Sequence, residues 1–124
     1  MIKMTVSIDV SHLQKAENFY IQALGAKKIR NQGEKMSIIS IWSSEIYLQE
    51  KDVGTKSIPW TEILRDYHRH WTPVHIDFIC ENVDDIVKKV LEMWWSHEWW
   101  ESADWWSIAH CADPFGNGFC IINE

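Results

Sequence analysis

The sequence lacks any apolar run long enough to cross a membrane. A transmembrane helix needs about 20 consecutive apolar residues, and no such run occurs in the 124-residue chain. The N-terminal segment 1–10 alternates in polarity and has no long apolar block, so we interpret it as a strand and not as a signal peptide. We therefore expect no membrane partner.

Clustered basic residues and paired cysteines are also missing. The formal net charge is −6, and no stripe of Lys and Arg is present to neutralise phosphates, which argues against nucleic acid as a partner. The three cysteines, Cys80, Cys111 and Cys120, are odd in number and show no C-x-x-C spacing. They favour reduced thiols and a cytoplasmic location over a disulfide framework.

The first half of the chain predicts a strand, a helix and three further strands. Residues 4–10 alternate, so that one strand face is apolar and the other polar. A helix then begins at Ser11, which forms a capping-box pattern with Gln14, and ends at Gly25, where a left-handed residue is favoured. The apolar face of the first strand consists of Val6, Ile8 and Val10, and its polar face consists of Thr5, Ser7 and Asp9. The three further strands are predicted at residues 26–31, 35–42 and 45–50.

The same order of elements restarts after residue 73. Residues 74–80 predict a strand that points Ile76, Phe78 and Cys80 to one face and His75, Asp77 and Ile79 to the other. Asn82 is a suitable cap for a second helix. Two or three strands follow, including residues 108–112 and 118–123 on either side of a turn. Positions 5, 8, 10 and 13 correspond to 75, 78, 80 and 83, and this offset of 70 indicates an internal duplication.

We therefore predict an α+β fold in which two βαβββ modules form a curved mixed sheet with the helices on its outer face. A cup of this kind, with polar side chains on its concave side, favours a small-molecule site. We expect a single domain over residues 1–124, with one module at about 1–50, a connection at 51–73 and the other module at about 74–124. Within the connection, residues 60–70 predict a short helix.

Several segments resemble the vicinal oxygen chelate superfamily, which includes glyoxalase I, bleomycin-resistance proteins and extradiol dioxygenases. The resemblance covers nearly the whole chain apart from the connection. It implies the paired-module fold but is not specific for one reaction. The matching segments are residues 13–20 and 23–26 of the first half and residues 75–78, 83–85 and 112–120 of the second.

The resemblance also implies where a catalytic metal would be held. Enzymes of the superfamily bind a divalent metal through four inward His or Glu side chains. The matching positions here are Thr5, Tyr47 (or Gln49 if the register slips), His75 and Cys120. Only His75 is such a ligand, and His with Cys makes two ligands where a catalytic zinc takes three. We therefore expect no cofactor, and a zinc, nickel or iron ion held by His75 and Cys120 if any metal is bound.

Two residues of the predicted cup carry the chemistry, and each has two interpretations. His75 is either a hydrogen-bonded histidine that lines the cavity or a general base. Cys120 is either a small buried thiol or a reactive nucleophile. The remaining residues that we expect to line the cavity are Thr5, Ser7, Trp42, Tyr47, Gln49 and Asp77.

Tryptophan is unusually abundant, with nine residues in the chain. Six of them form pairs at 94–95, 99–100 and 105–106. The first pair takes the place that Gly25 and Ala26 take in the first half, where a residue with a Cβ adopts the left-handed conformation less easily than glycine. The pairs are interpreted as engineered substitutions, as an aromatic loop over the cup, or as a natural association surface.

Three functions remain open at this stage. The first is a metal-free small-molecule-binding protein, as the resemblance to bleomycin-resistance proteins implies. The second is a glyoxalase-like lyase or isomerase that uses His75 as a base or ligand. The third is an engineered or natural scaffold whose tryptophans serve association. The resemblance further implies a homodimer.

Overall fold

The chain folds into two compact units, one formed by Met1–Ile21 and Gly25–Tyr67 and the other by Gln22–Leu24 and His68–Glu124. The computed structural model describes residues 1–93, 97–103 and 106–123. Each unit contains a four-stranded mixed sheet, and the elements follow the order βαβββ twice. The predicted α+β class with two βαβββ modules is confirmed.

The first module places its apolar strand faces on one side of its sheet. Its elements are β1 (Val6–Val10), α1 (Leu13–Leu24), β2 (Lys27–Asn31), β3 (Met36–Ile41) and β4 (Ser44–Glu50). The strand order is β1-β4-β3-β2, with β1 parallel to β4 and the other pairs antiparallel. Ile8, Val10 and Leu48 are buried while Ser7 is exposed, which agrees with the predicted alternation.

Helix α1 begins one residue later than the capping-box pattern predicts. Its cap is His12, not Ser11: the His12 backbone is extended and its Nδ1 accepts a hydrogen bond from the Lys15 N–H at 3.3 Å. Strand β1 ends at Val10 and the chain bends at Ser11, so the unpaired N–H groups of the first helical turn follow His12 and not Ser11. The Glu50 carboxylate accepts another of them, from Leu13, at 2.8 Å. The other end is as predicted, because Gly25 closes the helix with φ 69°.

The second module repeats this plan. Its elements are β5 (Ile76–Ile79), α2 (Val83–Glu92), β6 (His97–Ala103), β7 (Trp106–Ala112) and β8 (Gly118–Ile122). The order is β5-β8-β7-β6, with β5 parallel to β8. The Asn82 cap is confirmed, since its Oδ1 accepts from the Asp85 N–H at 3.2 Å. Helix α2 buries Val83, Val87 and Val90. The comparison of Trp94 and Trp95 with Gly25 and Ala26 lies outside the described residues.

Two sequence predictions about strand ends and the connection are wrong. Strands β1 and β5 begin at Val6 and Ile76, so Thr5 and His75 lie just before them. Residues 60–70 form no helix. Their backbone groups bond across the connection instead: the Gly54 N–H donates to the Arg65 carbonyl at 2.8 Å, and the Arg65 N–H donates to Thr55 at 2.8 Å. No helix in the described part of the chain is long and apolar enough to cross a membrane.

Candidate functional site

Strand pairing in the second module brings three chemically active side chains into one row. The parallel pair β5–β8 places Asp77 opposite Cys120, and the antiparallel pair β7–β8 places His110 opposite Cys120. Residues opposite each other on neighbouring strands share a face of the sheet. His75 precedes Asp77 by two positions, which places it toward the same face. We call these four residues the His75 cluster.

The distances within the His75 cluster are short. The Nε2 of His75 lies 3.2 Å from the Oδ1 of Asp77. One ligand atom each of His75, Asp77 and Cys120 lies within 4.8 Å of the other two. The Cys120 Sγ lies 3.5 Å from the Nδ1 of His110. The cluster thus offers imidazole nitrogen, carboxylate oxygen and thiol sulfur in one place.

Burial differs sharply across the His75 cluster. Cys120 is buried, while the side chains of His75 and Asp77 remain 37% and 48% exposed. Burial, the negative charge of Asp77 and a hydrogen bond to its carboxylate raise the pKa of the Cys120 thiol to about 11. The thiol is therefore protonated near neutral pH, which favours the interpretation as a buried thiol over a reactive nucleophile. His75 and Asp77 are therefore the most exposed members of the cluster, His110 is half-buried and Cys120 is buried.

Sequence reasoning missed two residues of this site, His110 and Trp71. The Trp71 ring packs against the rings of His75 and His110, with centroid distances of 5.5 and 5.6 Å and interplanar angles of 83° and 68°. His110 gave only a weak signal, as a histidine within the predicted strand 108–112, because its pairing with Cys120 depends on the β7–β8 register. Trp71 had no usable signal, since it lies in the irregular segment before β5.

The candidates of the first module lie on or beside its own sheet. Ser7 is exposed on β1 opposite Tyr47, and Gln49 is opposite Asp9. Tyr47 and Gln49 are half-buried on the face of β4 opposite Ile46 and Leu48. Thr5 is exposed ahead of β1. That these residues line one cavity together with the His75 cluster stays a prediction.

Trp42 has an unusual conformation. It lies between β3 and β4 with φ 54° and is 98% exposed. A bulky residue seldom adopts such a positive φ. Its side chain borders an open depression of about 470 Å³ that Lys27 and Ser40 also line. The structure thus places this predicted cavity residue in the turn between two strands.

Only one of the six paired tryptophans has a described side chain. Trp94, Trp95 and Trp105 lie outside the described residues, as do the side chains of Trp99 and Trp100. The predictions of an aromatic loop, an association surface or engineered substitutions fall on these residues. Trp106 begins β7 and is half-buried.

The chain belongs to the glyoxalase-like domain family, whose model matches residues 5–122. This places it in the vicinal oxygen chelate superfamily, as its sequence motifs indicate. No curated protein is similar enough in sequence to count as a relative.

Three solved structures illustrate the shared fold. The fosfomycin resistance protein FosX from Listeria monocytogenes is 17% identical, with a TM-score of 0.76 over 100% of this chain and 95% of that one. Lactoylglutathione lyase from Agrobacterium tumefaciens is 14% identical, with a TM-score of 0.68 over 98% and 92%. A mutant of the Listeria FosX complexed with Mn(II) and 1S,2S-dihydroxypropylphosphonic acid is 18% identical, with a TM-score of 0.73 over 98% and 90%. At these identities the likeness shows the fold alone.

Proposed function

We propose that this chain is a small-molecule-binding protein of the glyoxalase-like family that works without the family's catalytic metal. In this proposal the His75 cluster makes the polar contacts to the ligand. One observation carries it: two half-exposed polar side chains, His75 and Asp77, converge beside the buried Cys120. Ligand sites typically combine a few such convergent polar groups with apolar and aromatic walls, and the ring of Trp71 packs against His75.

The donor set supports the metal-free form of the proposal. Two of the four positions that correspond to family ligands are occupied by Thr5 and Tyr47, whose hydroxyl groups are poor ligands for a catalytic divalent metal. Thr5 is exposed ahead of β1, and Tyr47 is half-buried on β4. The four-ligand set of the family is therefore not reproduced by these side chains.

A fragment screen by ligand-observed NMR tests the binding role. We expect compounds that bind the wild-type protein and lose at least about tenfold in affinity in His75→Ala, which removes an exposed imidazole, and in Asp77→Asn, which removes the charge of the carboxylate. Glu34→Gln is the control, since it makes the same kind of change at an exposed carboxylate in the turn between β2 and β3. Compounds that bind His75→Ala as tightly as the wild type would contradict the proposed site.

The geometry also favours a second candidate function, a metal-dependent lyase or isomerase. His75, Asp77 and Cys120 supply nitrogen, oxygen and sulfur donors within 4.8 Å, and three protein ligands of these types suit a catalytic zinc. A bound zinc would supply Lewis-acid polarisation of a substrate oxygen. Because the pKa of Cys120 is raised to about 11, metal binding there must displace the thiol proton.

Elemental analysis of the purified protein separates the two candidates. Stoichiometric zinc, nickel or iron that disappears in His75→Ala and persists in Thr5→Ala would support the enzyme and overturn the metal-free binder. A protein that stays metal-free after incubation with Zn²⁺ and removal of the excess would support the binder.

Assembly and location complete the proposal. A homodimer is proposed from the family resemblance, and light scattering at high protein concentration tests it, with a strict monomer as the contrary result.

A cytoplasmic location is proposed because Cys80, Cys111 and Cys120 are all free thiols in the structure, as expected in a reducing compartment. Fractionation of the source cells tests it.

A further inference from the structure

The segment before β5 is docked onto the turn between β7 and β8. The backbone N–H of His70 donates to the Gly116 carbonyl at 3.0 Å, and the Arg69 guanidinium donates to the same carbonyl at 3.2 Å. A Cβ on Gly116 would lie 2.2 Å from the His68 carbonyl oxygen, so this close approach depends on glycine. The turn thus determines where the next residue, Trp71, is held.

Trp71 occupies space that a second glycine leaves open. A Cβ on Gly118 would lie 2.7 Å from the Cδ2 of the Trp71 ring, closer than real Cβ contacts allow. The Arg69 guanidinium stacks 4.7 Å from the centre of the same ring, a cation–π arrangement. The indole is therefore restrained by Gly118 and by Arg69.

From this position Trp71 contacts two histidines, His75 just before β5 and His110 on β7, the two strands that flank Cys120 on β8. Its ring is nearly perpendicular to His75 at 5.5 Å and steeply inclined to His110 at 5.6 Å. Aromatic rings prefer this edge-to-face geometry. His75 lies outside the strand ladder and is partly exposed, so backbone pairing within β5 does not restrain it.

We propose that Trp71 is the positioning residue of the His75 cluster, and that it holds the imidazoles of His75 and His110 in the orientation that a ligand meets. The proposal rests on the proposed function for its biological meaning. The Asp77 contact at 3.2 Å restrains only the Nε2 end of His75. The indole adds a second restraint from a separate segment of the chain. Gly118 is required in this arrangement because any larger residue would displace the indole.

NMR of the histidine side chains tests the positioning role without any ligand. Three-bond couplings across the Cα–Cβ bond report whether His75 occupies one rotamer. We expect one rotamer in the wild type, averaging in Trp71→Ala and Gly118→Ala, and recovery in Trp71→Phe, whose ring restores the aromatic contact. Trp60→Ala is the matched control, since Trp60 is 81% exposed and lies in the connection.

Alkylation by iodoacetamide, followed by peptide mass spectrometry, gives an independent measure. We expect Cys120 to react at least about fivefold faster in Trp71→Ala, because the His110 ring beside its Sγ loses the contact with the indole. Cys111, which is fully buried on β7, should react at the wild-type rate. If Gly118→Ala does not fold, Trp71→Ala still decides, because Trp71 is 41% exposed. An unchanged His75 rotamer and an unchanged Cys120 rate in a folded Trp71→Ala would overturn the proposal.

The two proposals fail in different ways. If Trp71→Ala loses the single His75 rotamer but the wild-type protein binds no fragment at this site, the proposed function is contradicted. The positioning role of Trp71 then stands. Fragment binding that depends on His75 but is equal in Trp71→Ala and the wild type would contradict the positioning role alone.

Discussion

The two modules share one backbone plan but carry different chemistry at equivalent positions. In both, the first and last strands are parallel and the last two are antiparallel. Equivalent rows of opposite residues therefore cross the two modules, and one of them contains the candidate site in the second module. The row consists of Ser7, Tyr47 and Ile38 in the first module and of Asp77, Cys120 and His110 in the second. The comparison teaches that strand register supplies the place for a site, while residue identity decides whether the site has chemistry.

The acidic groups of the two modules show the same contrast. Asp9 of β1 bonds the Nε of Arg65 at 2.7 Å, and the Arg65 side chain is only 13% exposed. This pair ties the connection to β1, so the carboxylate serves the fold. Asp77 instead faces His75 and remains half exposed. An acid paired with a fixed guanidinium is structural, whereas an acid beside an exposed imidazole is available to a ligand.

The largest expected effect concerns the turn of the second module. Gly116→Ala should lower the free energy of unfolding by about 3 kcal/mol, because it combines a positive φ of 81° with a Cβ placed 2.2 Å from the His68 carbonyl oxygen. Gly33→Ala, in the first module, has φ 71° and no atom within 4 Å, so it should cost only about 1 kcal/mol. Urea denaturation measures both. Equal losses of the free energy of unfolding in the two variants would show that the close approach of His68 to Gly116 does not make the substitution more costly.

The next largest effect concerns the Cys120 thiol, since the equivalent row of the first module contains no thiol. The pKa of Cys120 is raised from 9.0 to about 11 in the folded protein, so the unfolded chain loses this proton first as the pH rises. The resulting stabilisation is present below pH 9 and is lost as the pH rises toward 11, by on the order of 2 kcal/mol. Urea denaturation between pH 8 and 11 should therefore show a steeper loss in the wild type than in Cys120→Ala. Parallel pH profiles would contradict the shift.

The smallest expected effect comes from a substitution that gives the first module the alanine of the second module at an equivalent buried position. Ser37 is fully buried on β3, and its Oγ has no hydrogen-bond partner among the described residues. The equivalent position on β7 is Ala109, since Ser37 pairs with Leu48 as Ala109 pairs with Ile121. Ser37→Ala should raise the free energy of unfolding by about 1 kcal/mol, because an unpaired buried hydroxyl is costly. Thermal unfolding measures it, with the half-buried Ser40→Ala as control. A destabilised Ser37→Ala would show that the hydroxyl has a partner.

Much of the fold followed from local patterns. Alternation identified the apolar face of β1, Asn82 indicated the start of α2, and Gly25 indicated the end of α1. The start of α1 was displaced to His12 because capping depends on where the chain leaves the preceding strand. The helix predicted for residues 60–70 did not form, because their backbone groups found partners across the connection. Local patterns predict elements well where one element buries its own face.

The residues of the candidate site divide in the same way, into those that local patterns predict and those that strand pairing and packing bring in. The residue pattern alone predicted the two βαβββ repeats and the strand face that His75 shares with Asp77, because a face depends on spacings of two residues along one strand. The positions of Asp77 and His110 opposite Cys120, and of Trp71 beside them, became evident only from strand pairing and packing. Each of these contacts joins different strands or segments, so spacing along one strand does not predict it. They depend on strand register and on the absence of a side chain at Gly118, which no local pattern encodes.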